Sequence, residues 1–181
     1  MEYFEKIIMK NGQEALLRSG TVADGEGAFA SFQLVHGETD YLLTYPDETA
    51  FGPEGESEFL EGKTDNPREV EILALVDGKV VGTAGIKAVG NQCKIRHRAE
   101  FGISVNKEYW GRGLGKALTE ACILCAKKAG YVQLELSAVA ENERALALYR
   151  KCGFEEFGRN PRGFLSRDGH YQELVHMFLT L

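Results

Sequence analysis

No apolar run in this 181-residue chain approaches the roughly 20 residues that a membrane-spanning helix needs. The opening, Met1-Glu2-Tyr3-Phe4-Glu5-Lys6, carries two acids and lacks the basic-then-apolar build of a secretory signal. Cysteines are few, four in all, and show no disulfide framework. Cys93 and Cys152 stand alone, while the C-x-x-C of Cys122 and Cys125 lacks the second pair that a zinc site requires. That pair falls inside an apolar helical pattern, so both thiols read as packing residues and no metal is expected. Basic charge is scarce too: 21 Lys+Arg against 27 Asp+Glu leaves a net charge of −6. A nucleic-acid surface normally shows a basic stripe instead. Internal repeats, low-complexity tracts and linkers are missing. The expectation is one globular domain, cytoplasmic, with neither membrane nor nucleic acid as a partner. Its acidity is compatible with long-range attraction of a cationic substrate.

What is present is a mixed pattern of periods two and 3.6. Asn11-Gly12 between Ile7-Ile8-Met9-Lys10 and Gln13–Arg18 predicts a hairpin. Phe29, Phe32, Val35 and His36 predict a helix after Asp24, residues 45–55 a loop, and residues 57–63 a short acidic helix ending before Asn66-Pro67. Strands are expected over 70–76 and 79–86, joined at Asp77-Gly78, and over 99–105. A helix follows from Leu114 past Cys125, then a strand over 131–139 and a helix over 143–151. Strands at 154–157 and 171–179, joined by a loop containing Asp168-Gly169, close an α/β domain of α+β type.

The most informative segment is Trp110-Gly111-Arg112-Gly113-Leu114-Gly115-Lys116, between a strand and a helix. The first N–H groups of a helix have no internal acceptor, the helix dipole favours negative charge there, and glycines admit phosphate oxygens to the backbone. Arg112 and Lys116 can add charge to the same anion. A P-loop would need glycine at Trp110 and a hydroxyl residue at Ala117; a dinucleotide fingerprint starting at Gly111 would need glycine at Lys116. Both patterns fail. The plain alternative is a strand-to-helix turn with no ligand.

The stretch from Phe101 to Leu118 resembles the acetyl-CoA-binding motif of the GNAT N-acetyltransferases, and Glu141 to Phe154 resembles that family's second motif, in the same order and spacing. The resemblance is good from Val70 to Leu181 and looser before. Trp110 departs from it, because the family often has Gln or Arg there. The resemblance implies an acyl-CoA N-acyltransferase fold: a mixed, mostly antiparallel sheet flanked by helices, with a splayed central strand pair. It also implies acetyl-CoA as cosubstrate. Backbone N–H groups of Gly111, Arg112, Gly113, Leu114, Gly115 and Lys116 would hold the pyrophosphate, and Ile103, Ser104 and Val105 would pair with the pantetheine arm. Asn142 would contact that arm, and the Tyr149 hydroxyl would lie near the sulfur. Residues 1–69 would then supply the acceptor side, especially Thr39 to Phe59, and residues 70–181 the acetyl-CoA-binding core. A dimer is common among similar proteins, but no interface is readable.

The implied reaction is direct transfer of acetyl to a primary amine of a small molecule or peptide. An alkylamine with pKa near ~10.4 costs roughly 4.6 kcal/mol to deprotonate at neutral pH, within reach of one weak base or a water chain. No Ser/His/Asp triad or ping-pong nucleophile is visible. Tyr149 is the expected general acid for the leaving thiolate, although Ala145, Leu148, Tyr149 and Cys152 share a helix face and a core role fits as well. Glu100 is the expected base; an ion pair to Arg96 or Arg98 is the plainer use of it. Glu173, His170 and His176 are weaker candidates. Asn142 also suits a helix N-cap, accepting through its oxygen while its amide NH2 stays free. The alternative function is a non-catalytic acyl-CoA-binding regulatory module.

Overall fold

In a computed structural model describing Met1–Leu181, the period-two segments form one eight-stranded sheet. The strands are β1 (Phe4–Ile8), β2 (Glu14–Ser19), β3 (Val70–Val76), β4 (Lys79–Ala88), β5 (Arg98–Val105), β6 (Gln133–Val139), β7 (Glu155–Leu165) and β8 (Tyr171–Thr180). Their spatial order is β1-β2-β3-β4-β5-β6-β8-β7. All neighbours are antiparallel except β5 and β6, which are parallel because helix α3 (Leu114–Lys128) carries the chain back between them. This parallel ladder covers only Arg98–Glu100 against Gln133–Glu135. Beyond it β5 keeps only β4 as a neighbour and β6 keeps only β8, so the sheet opens at its centre.

Successive strand residues face opposite sides, and the core divides accordingly. Ile72 and Leu73 are both fully buried, yet they belong to separate clusters. Leu73 packs with Ala28 of α1 (Gly25–Glu38) and Leu60 of α2 (Pro53–Asp65) on one face. Ile72 belongs to the larger cluster on the other face, with Leu114, Leu118, Cys122 and Cys125 of α3 and with Leu146 and Tyr149 of α4 (Glu143–Lys151). Both thiols of the C-x-x-C are buried and pushed up by that burial, as packing residues should be.

Several boundaries differ from expectation for identifiable reasons. Asp77 and Gly78 both take positive φ (49° and 75°), as a tight hairpin demands. At Asn11-Gly12 only Gly12 does (φ 85°), so Met9 N–H closes a longer turn onto the Gln13 carbonyl at 2.9 Å, and β1 ends at Ile8. Helix α2 starts at Pro53, inside the expected loop, because a proline is preorganised for the first helical position after an extended Gly52. Strand β7 runs on to Leu165 despite Pro161 and Gly163. It is an edge strand, where a missing N–H breaks no ladder, and its register shifts between Asn160 and Phe164.

Candidate active site

The end of β5 is pinned before the glycine turn begins. Gly82 of β4 makes the close approach possible: a Cβ there would stand 2.9 Å from the Ser104 carbonyl oxygen and 3.2 Å from Val105 Cα. Asn106 N–H donates to the Val81 carbonyl at 2.9 Å, and its buried side chain accepts a 2.8 Å hydrogen bond from Ser31 of α1. After one tight turn over Lys107–Tyr109, the Trp110 indole N–H reaches back to the Val105 carbonyl at 2.6 Å. The Arg144 guanidinium lies 4.3 Å over that indole ring. Trp110, the departure from the family pattern, thus ties the strand end to the first turn of α4.

Gly111 and Gly113 take φ of 77° and 94°, and Gly113 is the left-handed N-cap of α3. None of the N–H groups from Gly111 to Lys116 donates to an acceptor within the protein; the helical ladder begins with Ala117 N–H to the Gly113 carbonyl. The turn therefore presents an unbroken run of free donors at a helix N-terminus, which fits a pyrophosphate. The turn's own cations are largely turned aside. Lys116 pairs with Glu120 at 2.5 Å, and Arg112 lies 4.9 Å over the Tyr109 ring and 3.9 Å from Glu108.

The opening between β5 and β6 forms a cleft of about 380 Å³ lined by Glu100, Phe101, Glu135, Leu136, Ser137, Phe157 and His176. Ile103, Ser104 and Val105 pair with Ala84, Thr83 and Gly82 on one side and have no strand on the other. Glu100 stands in the cleft, half-exposed, with Lys87 at 3.0 Å. Its ion-pair partner is neither Arg96 nor Arg98. Arg98 is taken by Glu135 in a two-pronged pair, one arm at 2.7 Å, which holds the Glu135 carboxyl below its usual range. His176 Nδ1 lies 2.8 Å from Ser137 Oγ. Glu173 is elsewhere, bound to Arg159 at 2.8 Å, and His170 is exposed on a loop. Glu135 and Ser137 escape a reading of the sequence, because only the register at the splay turns the polar positions of β6 toward Glu100.

Phe101 connects the cleft to the opposite face, where its ring meets Tyr149 edge-on at 6.1 Å; Phe154 completes a three-ring cluster, 6.0 Å from Tyr149 and 6.2 Å from Phe101. Burial first, and the neighbouring Cys152 second, hold the Tyr149 hydroxyl well above the ordinary tyrosine range. Asn142 caps α4, its Oδ1 accepting from Ala145 N–H at 3.2 Å, while its amide NH2 makes no hydrogen bond in the protein.

A further contact joins segments far apart in sequence. The hydroxyl of Tyr45 accepts a 3.1 Å hydrogen bond from the Arg167 N–H, and the Arg167 side chain reaches Asp47 at 2.8 Å. Gln172 adds a 3.2 Å hydrogen bond to the Asp40 carbonyl. The segment after α1 is thereby clasped to the β7–β8 hairpin.

Residues 38–154 match the model of the Acetyltransferase (GNAT) family. The chain belongs to that family. It is 31% identical over 118 residues to the L-amino acid N-acetyltransferase AaaT of Escherichia coli, a match covering 65% of this chain and 72% of that one. It is 26% identical to a [ribosomal protein bS18]-alanine N-acetyltransferase of Salmonella typhimurium, over 75% of this chain and 80% of the relative. Among solved structures, a GNAT acetyltransferase from Streptococcus pneumoniae superposes with a TM-score of 0.88 at 28% identity, covering 92% of this chain and 99% of that one. An acetyltransferase from Salmonella typhimurium solved with acetyl-CoA shares the fold at a TM-score of 0.82 and 18% identity, over 92% of this chain and 94% of that one. The GNAT chain described here is thus an acetyl-CoA-dependent N-acetyltransferase.

Proposed function

We propose that this enzyme, acting in the cytoplasm, acetylates the α-amino group of an amino acid or of a peptide terminus. The carrying observation is that one strand serves two features. Strand β5 offers the Glu100 carboxylate to the cleft and then leads, by its unpaired edge, into a turn of free N–H donors suited to pyrophosphate. Acetyl-CoA supplies the activated acyl group. The N–H groups of Gly111 to Lys116 hold its phosphates, the free edge of Ile103 to Val105 receives the extended arm, and the unused amide NH2 of Asn142 reaches the same arm. Residues 70–181 hold the acyl donor, and residues 1–69 contribute most of the acceptor side.

Glu100 draws the acceptor ammonium into the cleft and takes its proton; Lys87 beside it suits the carboxylate of a free amino acid. Glu135 is unsuited to that role because Arg98 keeps it ionised and occupied. Tyr149, protonated throughout the working pH range, donates to the departing sulfur. The two relatives above are named for acceptors that each present an α-amine, which supports this acceptor class.

The test is thiol release over a panel of amino acids, peptides, polyamines and aminoglycosides, run for Glu100→Gln and His176→Gln. Glu100→Gln should lower kcat/KM for the best α-amine by roughly 10²-fold, in the range typical of a removed general base, and His176→Gln by much less. The reverse ranking moves the base to His176; no thiol release with any amine defeats the enzymatic reading.

A further inference from the structure

The β1–β2 hairpin reaches the glycine turn. Lys10 N–H donates to the Arg112 carbonyl at 3.0 Å, fixing the hairpin tip against the one segment whose N–H groups are free. The Lys10 side chain then runs past Gly113: a Cβ on that glycine would stand 3.7 Å from Lys10 Cγ and 3.9 Å from its Cε. The ammonium is exposed and forms no ion pair, whereas the hairpin's other lysine, Lys6, pairs with Glu14 at 3.3 Å. Charge at the turn is thus distributed unexpectedly. The two cations inside the motif, Arg112 and Lys116, face Glu108 and Glu120. The cation left free for an anion comes from a hairpin about a hundred residues earlier.

We infer that Lys10 is a phosphate-binding residue, placing its ammonium on the pyrophosphate held by the Gly111–Lys116 turn. This rests on the reading of that turn as the acetyl-CoA phosphate site. Two properties of the hairpin favour it. The backbone hydrogen bond from Lys10 sets where the stem starts regardless of the side chain. The stem runs alongside Gly113 at about van der Waals distance, which carries the ammonium toward the N–H donors of the turn. A charged hydrogen bond of this kind is stronger than a neutral one, although its exposure and salt screening reduce it.

The experiment is calorimetric titration of the full chain with acetyl-CoA and with 3′-dephospho-acetyl-CoA, at low and high salt. Lys10→Met keeps the stem over Gly113 and removes the charge; Lys10→Arg restores it. Lys10→Met should weaken both ligands by roughly 5- to 20-fold at low salt, the range of one exposed charge-assisted contact. The loss should shrink at high salt, and Lys10→Arg should recover most of the affinity. The melting temperature of the ligand-free protein should be the same for all three, since the side chain is exposed. Wild-type affinity in Lys10→Met overturns the inference, as does a loss that disappears with the 3′-dephospho ligand. Should wild type itself fail to bind acetyl-CoA, the reading of the turn falls first and Lys10 with it, an outcome distinct from the other two.

Discussion

Burial, more than any neighbour, pushes the Glu71 carboxyl up to about 7, with Lys63 and the Thr83 hydroxyl opposing the shift and Glu56 of α2 adding to it. Its side chain lies so close over Gly85 that no Cβ would fit there. The consequence for stability follows from linkage. Above about 4.5, the ordinary value, the unfolded chain ionises while the folded chain still holds the proton, so stability falls as pH rises from there to about 7. The contribution lost is on the order of 3 kcal/mol. Glu71→Gln should flatten that part of the stability curve and be more stable than wild type at pH 8, as read by chemical denaturation across pH; an unchanged slope would contradict it. Nothing in the sequence signals this residue, because a Glu in a strand is normally solvated. Its burial depends on α2 folding over β3. The elements that carry Glu100 and Tyr149 were legible for the opposite reason, since the patterns that mark β5 and α4 are local.

At the scale of elements, the turn into α3 is the part most fully written in the sequence. Strand, alternate glycines and helix are contiguous, so no long-range contact is needed to recognise them. Placing an aspartate at Gly113 would force a side chain onto φ 94° and set a carboxylate beside the donors proposed to hold phosphate. Gly113→Asp should weaken acetyl-CoA binding at least tenfold while α3, held by Leu114, Leu118 and Cys122, stays folded by circular dichroism. Unchanged affinity in a folded variant would remove the turn from the site. The elements hardest to read were those whose ends are set by distant partners. Strand β7 outlasts its expected end because β8 continues to pair with it past Pro161. Helix α2 starts ahead of its expected position because Pro53, a residue common in loops, here opens the helix.

For the molecule as a whole, segments about 120 residues apart are joined through Tyr45, Asp47 and Arg167, and on the proposed reading this clasp forms a wall of the acceptor side. Such a clasp cannot be seen from spacing, and the acceptor is correspondingly the least legible part of the function. Arg167→Ala should open that wall, raising KM for the acceptor several-fold while the dissociation constant for acetyl-CoA moves by less than about twofold, the usual scale for an exposed pair remote from the ligand. A matching loss of acetyl-CoA affinity would show that the two sides are not separable. The brief ladder between β5 and β6 has a different consequence. Three residues on each strand, Arg98–Glu100 and Gln133–Glu135, form the whole strand ladder between the two half-sheets. With the pantetheine arm taken as the missing neighbour of β5, the acyl donor becomes part of the architecture. Starved of it, the enzyme would breathe along that seam and be cut sooner by proteases; supplied with it, the enzyme would persist. Its lifetime in a cell would then follow the cell's store of activated acetyl groups.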